Sequence, residues 1–223
     1  MDLIHGDCKD HIDDITYDYV FTGPPDFDDL GMDPTDTTGY SDWLKPIIEK
    51  MKPRNGLITI VVTDRKFKRG VVSKAQLIQT IMGDLGKTLA SYKIWMKSDK
   101  IGHFRLTYSH IMTFSDKDHR GHPVKYWQQV GYQEFKPDVW YMKPKSYKGY
   151  NHNTPVELVD RCILNYTKEG DTVYDPFAGS CTTGVSAKQN KRIFIGTELR
   201  EDTYLLGLER LQLTNYLTSN PTL

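Results

Sequence analysis

Apolar residues follow two patterns that alternate along this chain. Short continuous apolar runs, such as 57–62, are typical of strands buried on both faces. Longer segments carry apolar residues at helical spacing. The clearest is 155–168, where one stripe contains Val156, Leu158, Val159, Cys162 and Ile163. The alternation predicts an α/β domain with a mostly parallel sheet and helices on both faces.

The two patterns give the expected elements and the places where a site should lie. We predict strands at 19–22, 57–62, 91–96, 109–114, 172–174 and 192–197. We predict helices at 41–52, 73–85, 155–168, 182–189 and 201–215, with Ser41 and Ser73 as N-caps of the first two. Ligands of parallel sheets bind at the carboxyl ends of the strands. The loops after Thr22, Tyr174 and Thr197 are therefore the candidate site.

Composition narrows the class of protein. The 223 residues are enough for one compact domain, and 29 basic residues balance 29 acidic ones, so any nucleic-acid site needs a local basic surface. Three cysteines far apart in sequence indicate free thiols in a reducing compartment. We expect a soluble intracellular protein without a signal peptide or membrane span. We also expect no metal site, because His119 and His122 lack Cys or carboxylate partners at ligand spacing.

Residues 115–150 interrupt the strand and helix rhythm with eight aromatic and seven basic residues. We interpret them as an insertion, lying off the sheet, in a single domain spanning 1–223. Basic and aromatic side chains together can bind phosphates and bases. The candidate nucleic-acid contacts are Arg65, Lys66, Lys125, Trp127, Lys143 and Lys145. The alternatives are rings that pack the insertion onto the sheet and a solvated basic loop at 65–69.

A loop of small residues connects the strand at 172–174 to the next helix, and it consists of Asp175, Pro176, Phe177, Ala178, Gly179 and Ser180. Small residues let the backbone approach a ligand, and the helix offers unpaired N–H groups. Glu198 ends the following strand, where a carboxylate can accept hydrogen bonds from both hydroxyls of a ribose. This describes a nucleoside site. A P-loop would need Lys at Val185, and GxGxxG is absent. A tight turn with a solvated Glu is the plainer alternative.

A second loop follows the buried strand at 19–22, and it consists of Thr22, Gly23, Pro24, Pro25, Asp26 and Phe27. Together the two loops resemble those of DNA amino-methyltransferases, which form N4-methylcytosine or N6-methyladenine. In that family a (D/N/S)PP(Y/F/W) loop is catalytic and a DPF-x-G-(S/T)-G loop binds S-adenosylmethionine. The catalytic loop comes first here, which is similar to the β arrangement, with target recognition between the loops.

Other segments resemble the family in the same order. They are Gly6-Asp7, Asp138-Val139-Trp140 and the stretch from His152 to Leu158. The resemblance implies a Rossmann-like methyltransferase fold with a mostly parallel seven-stranded sheet, and it makes 115–150 a target-recognition insertion. It also implies S-adenosylmethionine as cofactor, DNA as partner, residues 22–27 as catalytic, and Asp7, Asn153, Thr154, 175–180 and Glu198 as cofactor-binding.

Methyl transfer to an exocyclic amine explains the catalytic loop. Such an amine is a poor nucleophile, and acceptors aimed at its N–H bonds free the lone pair for attack. The chain departs from the family pattern at Gly23, which has no side-chain acceptor, and at Asp26, Thr154 and Cys181. We consider the carbonyls of Gly23 or Pro24, or the carboxylates of Asp26, Asp28 or Asp29, as replacement acceptors, and Phe27 as the ring that stacks on the base.

Thr22 before the Pro-Pro pair resembles the TSPP form of N4-cytosine enzymes, so we predict a DNA methyltransferase acting on N4 of cytosine. N6 of adenine is the first alternative. A catalytically inactive homologue that binds nucleic acid and supports a partner is the second. The Pro-Cys dipeptide of cytosine-C5 enzymes is absent. The predicted helices 41–52 and 73–85 are the candidate face for a homodimer.

Overall fold

The computed structural model describes residues 2–98, 106–116, 138–147 and 150–219. The strands are β1 (Asp2–His5), β2 (Tyr19–Thr22), β3 (Leu57–Val62), β4 (Arg65–Phe67), β5 (Gly70–Val72), β6 (Thr88–Met96), β7 (Tyr108–Ser115), β8 (Val139–Tyr141), β9 (Lys145–Tyr147), β10 (Tyr150–Asn153), β11 (Thr172–Asp175) and β12 (Ile193–Glu198). The helices are α1 (Cys8–His11), α2 (Thr37–Lys50), α3 (Lys74–Asp84), α4 (Val156–Tyr166), α5 (Thr182–Gln189) and α6 (Glu201–Ser219).

Eight strands form one sheet in the order β1-β12-β11-β2-β3-β7-β6-β8. β7 runs antiparallel to the other seven strands. The mostly parallel α/β architecture is therefore confirmed, with one strand more than the seven predicted. β2 and β11 are adjacent and parallel, so the loops that leave their carboxyl ends must be neighbours.

Helices cover both faces of this sheet, and strand residues alternate between the two cores. On β2, Val20 packs with α2 and α3, while Tyr19 and Phe21 pack on the opposite side with α4. On β3, Ile58 and Ile60 face the first core and Leu57 and Val61 the second. A side-chain period of two explains why these strands are apolar throughout.

The predicted start of α2 was wrong. The helix begins at Thr37, and Asp36 caps it by accepting a hydrogen bond of 2.9 Å from the amide of Gly39. Ser41 instead lies inside the helix, where its hydroxyl donates to the carbonyl of Thr37. Ser73 caps α3 as predicted, accepting from the amide of Gln76.

Part of the 115–150 stretch belongs to the sheet, which corrects the prediction that it lies off the sheet. β8 pairs in parallel with β6 from Ile94 to Met96, and Trp140 of β8 is buried. β9 and β10 form a separate antiparallel hairpin. Lys125 and Trp127 lie outside the described residues. The boundaries of the insertion stay a prediction.

The described part of the chain bears on three further expectations. None of its helices has the length and apolar character to cross a bilayer. Cys8, Cys162 and Cys181 are buried free thiols, as the sequence indicated. Within the described ranges, no group of His, Cys, Asp and Glu side chains has the arrangement of a metal site.

Candidate active site

The two loops singled out from the sequence meet in one cleft at the carboxyl edge of the sheet. The cleft holds about 550 Å³ of space, part of it open to solvent. Its lining residues include Gly23 from the first loop, Asp175, Phe177, Ala178, Gly179 and Ser180 from the second, Thr182 and Thr183 from α5, and Thr154 before α4. The adjacency of β2 and β11 produces this meeting.

Asp175 connects the two loops. One carboxylate oxygen accepts hydrogen bonds from the Thr22 hydroxyl at 2.7 Å and the Phe177 amide at 3.1 Å, and the other accepts from the Thr183 hydroxyl at 2.6 Å. Burial raises the pKa of Asp175 to about 6, although these hydrogen bonds lower it. Its carboxylate serves three protein donors and so organises the loop, and contact of Asp175 with a cofactor stays a prediction.

Glu198 reaches back from the end of β12 to the same loop. Its two oxygens accept from the amides of Gly179 at 2.8 Å and Arg200 at 2.9 Å. The loop is closed by further hydrogen bonds between Ala178 and Thr197 and between Thr197 and Pro176. A carboxylate oxygen has two acceptor sites, so Glu198 keeps capacity for a bound diol.

The three other predicted cofactor residues lie on separate segments of the chain. Thr154 lines the cleft. Asp7 follows β1, which pairs with β12 so that His5 lies opposite Glu198, and the Asp7 carboxylate caps α1 by accepting from the amide of Lys9 at 3.0 Å. Asn153 ends β10. Their contact with a cofactor stays a prediction.

The catalytic loop is held by backbone and ring contacts. The Pro25 carbonyl accepts from the buried Tyr40 hydroxyl at 2.9 Å, so it is already engaged. A Cβ at Gly23 would lie 3.3 Å from the carbonyl oxygen of Val61, a close approach that favours glycine. Of the two prolines, Pro24 is the buried one. The carbonyls of Gly23 and Pro24 remain the candidate backbone acceptors.

The family is decided by sequence over most of the chain. The model of the N6_N4_Mtase family, described as DNA methylase, matches residues 17–208. The chain belongs to this DNA methylase family. The match includes both loops and all strands of the sheet except β1.

Individual relatives agree with this membership. DNA adenine methyltransferase YhdJ of Escherichia coli K12 is 36% identical over 107 residues, which are 46% of this chain and 35% of YhdJ. Several curated relatives are matched over only a quarter to a third of their own length.

Among solved structures, TTHA0409 of Thermus thermophilus, complexed with S-adenosyl-L-methionine, gives a TM-score of 0.75 at 21% identity over 95% of each chain. The cytosine-N4-specific PvuII DNA methyltransferase gives 0.72 at 15% identity, over 96% of this chain and 91% of that one. These structural likenesses show the fold.

Phe27 does not present a ring to the cleft, which corrects the stacking hypothesis. Its side chain is 0% exposed, and its ring centroid lies 4.6 Å from that of Tyr40. The chain turns directly after Phe27 into a short 3₁₀ helix, Asp28–Leu30, which directs the ring into the core. The aromatic character of Phe27, next to the family's aromatic position at Asp26, was therefore a misleading sign of base stacking.

Asp26 occupies the position of the family's aromatic residue and is held by two cations. Its Oδ1 lies 3.2 Å from Lys74 Nζ and accepts from the Phe27 amide at 2.8 Å, while Oδ2 lies 3.8 Å from Arg65 Nη1. Asp29 is used within the loop, because it accepts from the Asp26 amide, and Asp28 pairs with Arg65. Asp26 Oδ2 makes only this longer contact with Arg65 and therefore keeps capacity to accept a hydrogen bond.

Sequence reasoning missed Lys74, the first residue of α3, whose side chain is only 4% exposed. A lysine at the first turn opposes the helix dipole, and that anomaly was the available signal. Arg65 pairs with Asp26 and Asp28, and its predicted contact with DNA stays a prediction. Lys66 lies in β4, exposed Lys143 lies between β8 and β9, and exposed Lys145 begins β9. Contact of these lysines with DNA stays a prediction.

Proposed function

We propose that this protein transfers a methyl group from S-adenosylmethionine to the N4 amine of cytosine in DNA. One observation carries the proposal. The catalytic loop and the small-residue loop are 153 residues apart in sequence, yet the Thr22–Asp175 hydrogen bond joins them in a single cleft. Methyl transfer needs a methyl donor and an amine in line within one site.

The cleft suits the nucleoside part of this cofactor. Residues 178–180 line it beside the start of α5, and Glu198 accepts from the Gly179 amide of that loop with capacity left for a ribose diol. Thr154 and Asp7 would hold other parts of the molecule. The complex of TTHA0409 with S-adenosyl-L-methionine supports the same cofactor in this fold. When bound, the cofactor supplies an electrophilic methyl group on a sulfonium.

The chain's own groups act on the amine. The two N–H groups of the amine donate hydrogen bonds to acceptors of the loop, which are the carbonyls of Gly23 and Pro24 and the Oδ2 oxygen of Asp26. These hydrogen bonds localise the nitrogen lone pair for attack. The N–C bond forms as the S–C bond breaks, and the nitrogen then loses one proton to an acceptor of the loop or to water. No covalent bond to the protein is required. The cleft contributes chiefly by positioning and by fixed dipoles.

The choice of cytosine rests on Thr22 before the Pro-Pro pair, as in the TSPP form, and on the fold shared with the cytosine-N4-specific PvuII enzyme. The similarity to the adenine methyltransferase YhdJ favours N6 of adenine as the second candidate. Gly23 and Asp26, which depart from the family pattern, favour a catalytically inactive homologue as the third.

The test combines a titration with product analysis. S-Adenosylmethionine is titrated into the full chain, and DNA exposed to protein and cofactor is sequenced for N4-methylcytosine and N6-methyladenine. We expect binding and N4-methylcytosine. N6-Methyladenine instead would overturn the base assignment. Binding without any methylated base would establish the inactive homologue, and absence of binding would refute the cofactor site.

Asp26→Asn tests the proposed acceptor. We expect methyl transfer to fall roughly 100-fold, as for loss of one preorganised group, while the Kd for S-adenosylmethionine stays within about twofold. Asp42→Asn on the exposed side of α2 is the control and should keep full activity. Asparagine keeps one acceptor oxygen, so full activity of Asp26→Asn would show only that the negative charge is not needed. Full activity of Asp26→Ala, which removes both side-chain acceptors, would assign the accepting role to the backbone carbonyls.

A further inference from the structure

Cys181 sits in an unusual backbone conformation directly after the cofactor loop. Its φ is +59°, in the left-handed region, at the N-cap of α5. A side chain is disfavoured there, and glycine is the residue that adopts this conformation freely. The bend carries the chain from Ser180 to Thr182, and both of these residues line the cleft. Other contacts must therefore hold this strained position in place.

Helix α6 approaches the bend closely. A Cβ at Gly207 of α6 would lie 2.9 Å from Cys181 Sγ and 3.2 Å from the Gly179 carbonyl oxygen. The thiol is fully buried, and burial raises the pKa of Cys181. The missing side chain of Gly207 makes room for the sulfur and lets α6 lie against the loop.

Arg210 lies three residues further along α6 and grips both sides of the bend. Its Nη1 donates to the Ser180 carbonyl at 3.0 Å, to the Ser180 hydroxyl at 3.1 Å and to the Thr182 hydroxyl at 2.9 Å. The guanidinium is seated under the ring of Tyr147 on β9, at 5.1 Å from the ring centroid. Charged donors make stronger hydrogen bonds than neutral ones, and this one holds the residues before and after Cys181 together.

We propose that Arg210 is a positioning residue for the cofactor. It acts through Ser180 and Thr182, keeping the strained bend in the conformation that binds S-adenosylmethionine. The inference rests on the proposed function, because it concerns the same cleft. Nothing in it requires contact between Arg210 and the cofactor or the DNA, so its effect should be confined to cofactor affinity.

Arg210→Met removes the donors and keeps the aliphatic stem. Loss of hydrogen bonds from a charged group predicts a rise of about 10-fold to 100-fold in the Kd and KM for S-adenosylmethionine. The kcat at saturating cofactor and the KM for DNA should change by no more than about threefold. Arg210→Lys should recover part of the affinity. Gln212→Met, at an exposed position of the same helix, is the control for disturbance of α6.

Cys181→Gly separates positioning from general support of the fold. Glycine relieves the left-handed strain, so Cys181→Gly should recover cofactor affinity in the Arg210→Met background by about fivefold or more. The same substitution should raise cofactor affinity less in the chain that keeps Arg210. This comparison also serves if Arg210→Met alone folds poorly. Equal effects of Cys181→Gly in both backgrounds, or an unchanged Kd in Arg210→Met, would overturn the inference. If the wild-type chain binds no S-adenosylmethionine, the proposed function fails and this inference with it.

Discussion

The hydrogen bond from Thr22 to Asp175 offers the sharpest test of the site. Thr22→Val keeps the shape of a fully buried side chain and removes the donor of the 2.7 Å hydrogen bond that joins the two loops. A hydrogen bond to a charged group contributes about 1.5–3 kcal/mol, and its loss leaves a buried carboxylate with fewer donors. We expect Thr22→Val to lower the free energy of unfolding by about 2 kcal/mol at pH values where Asp175 is ionised.

The effect must depend on pH, with a defined sign. The pKa of Asp175 in the folded chain is about 6, above its ordinary value of 3.8, chiefly because of burial. Its contribution to stability is therefore fully present below about pH 3.8 and is lost as the pH rises through about 6, amounting to about 3 kcal/mol. The Thr22 hydroxyl lowers the pKa of Asp175, so Thr22→Val should raise this pKa further and increase the loss of stability at high pH. The destabilisation by Thr22→Val should be larger near pH 8 than near pH 5.

Urea unfolding followed by tryptophan fluorescence at both pH values measures this difference. Thr113→Val is the matched control, because Thr113 is also buried but shares its 2.7 Å hydrogen bond with the neutral hydroxyl of Thr59. Thr113→Val should lower the free energy of unfolding by about 1 kcal/mol at either pH. If Thr22→Val gives the same destabilisation at both pH values, Asp175 is not the group that titrates and the reasoning is wrong.

Further predictions concern packing. Phe27→Ala should lower the free energy of unfolding by about 3–5 kcal/mol in thermal denaturation, since a large buried ring is removed. A variant with unchanged Tm and lost methyl transfer would instead restore Phe27 as a stacking ring. Gly184→Ala should destabilise the chain by about 1–3 kcal/mol, because its Cβ would lie 2.8 Å from side-chain atoms of Leu211 and Phe194. Gly83→Ala, a helical glycine with no atom within 4 Å of the added Cβ, should stabilise it by about 0.5–1 kcal/mol. Destabilisation by Gly83→Ala equal to that by Gly184→Ala would contradict the packing described.

Local patterns determined the longer elements of this protein, although the short strands β1, β4, β5, β8, β9 and β10 were not predicted. The apolar run of β3, the small-residue loop at 175–180 and the Pro-Pro turn after β2 are each set by neighbours in sequence, and each was predicted within a few residues. The site at the carboxyl edge followed from the rule for parallel sheets. Among the predicted helices the exception is α2, whose cap lies five residues before Ser41, and the short helix α1 was not predicted.

Contacts between distant segments decided the rest. Whether Phe27 faces a base or the core depends on Tyr40, and the use of Asp26 depends on Lys74 from α3. Arg210 grips the cofactor loop only because α6 passes over Cys181. The edge position of β8 likewise depends on pairing with β6. Side-chain partners of this kind come from chain paths that local propensity does not encode, since periodicity reports which face of an element is buried and not what it is buried against.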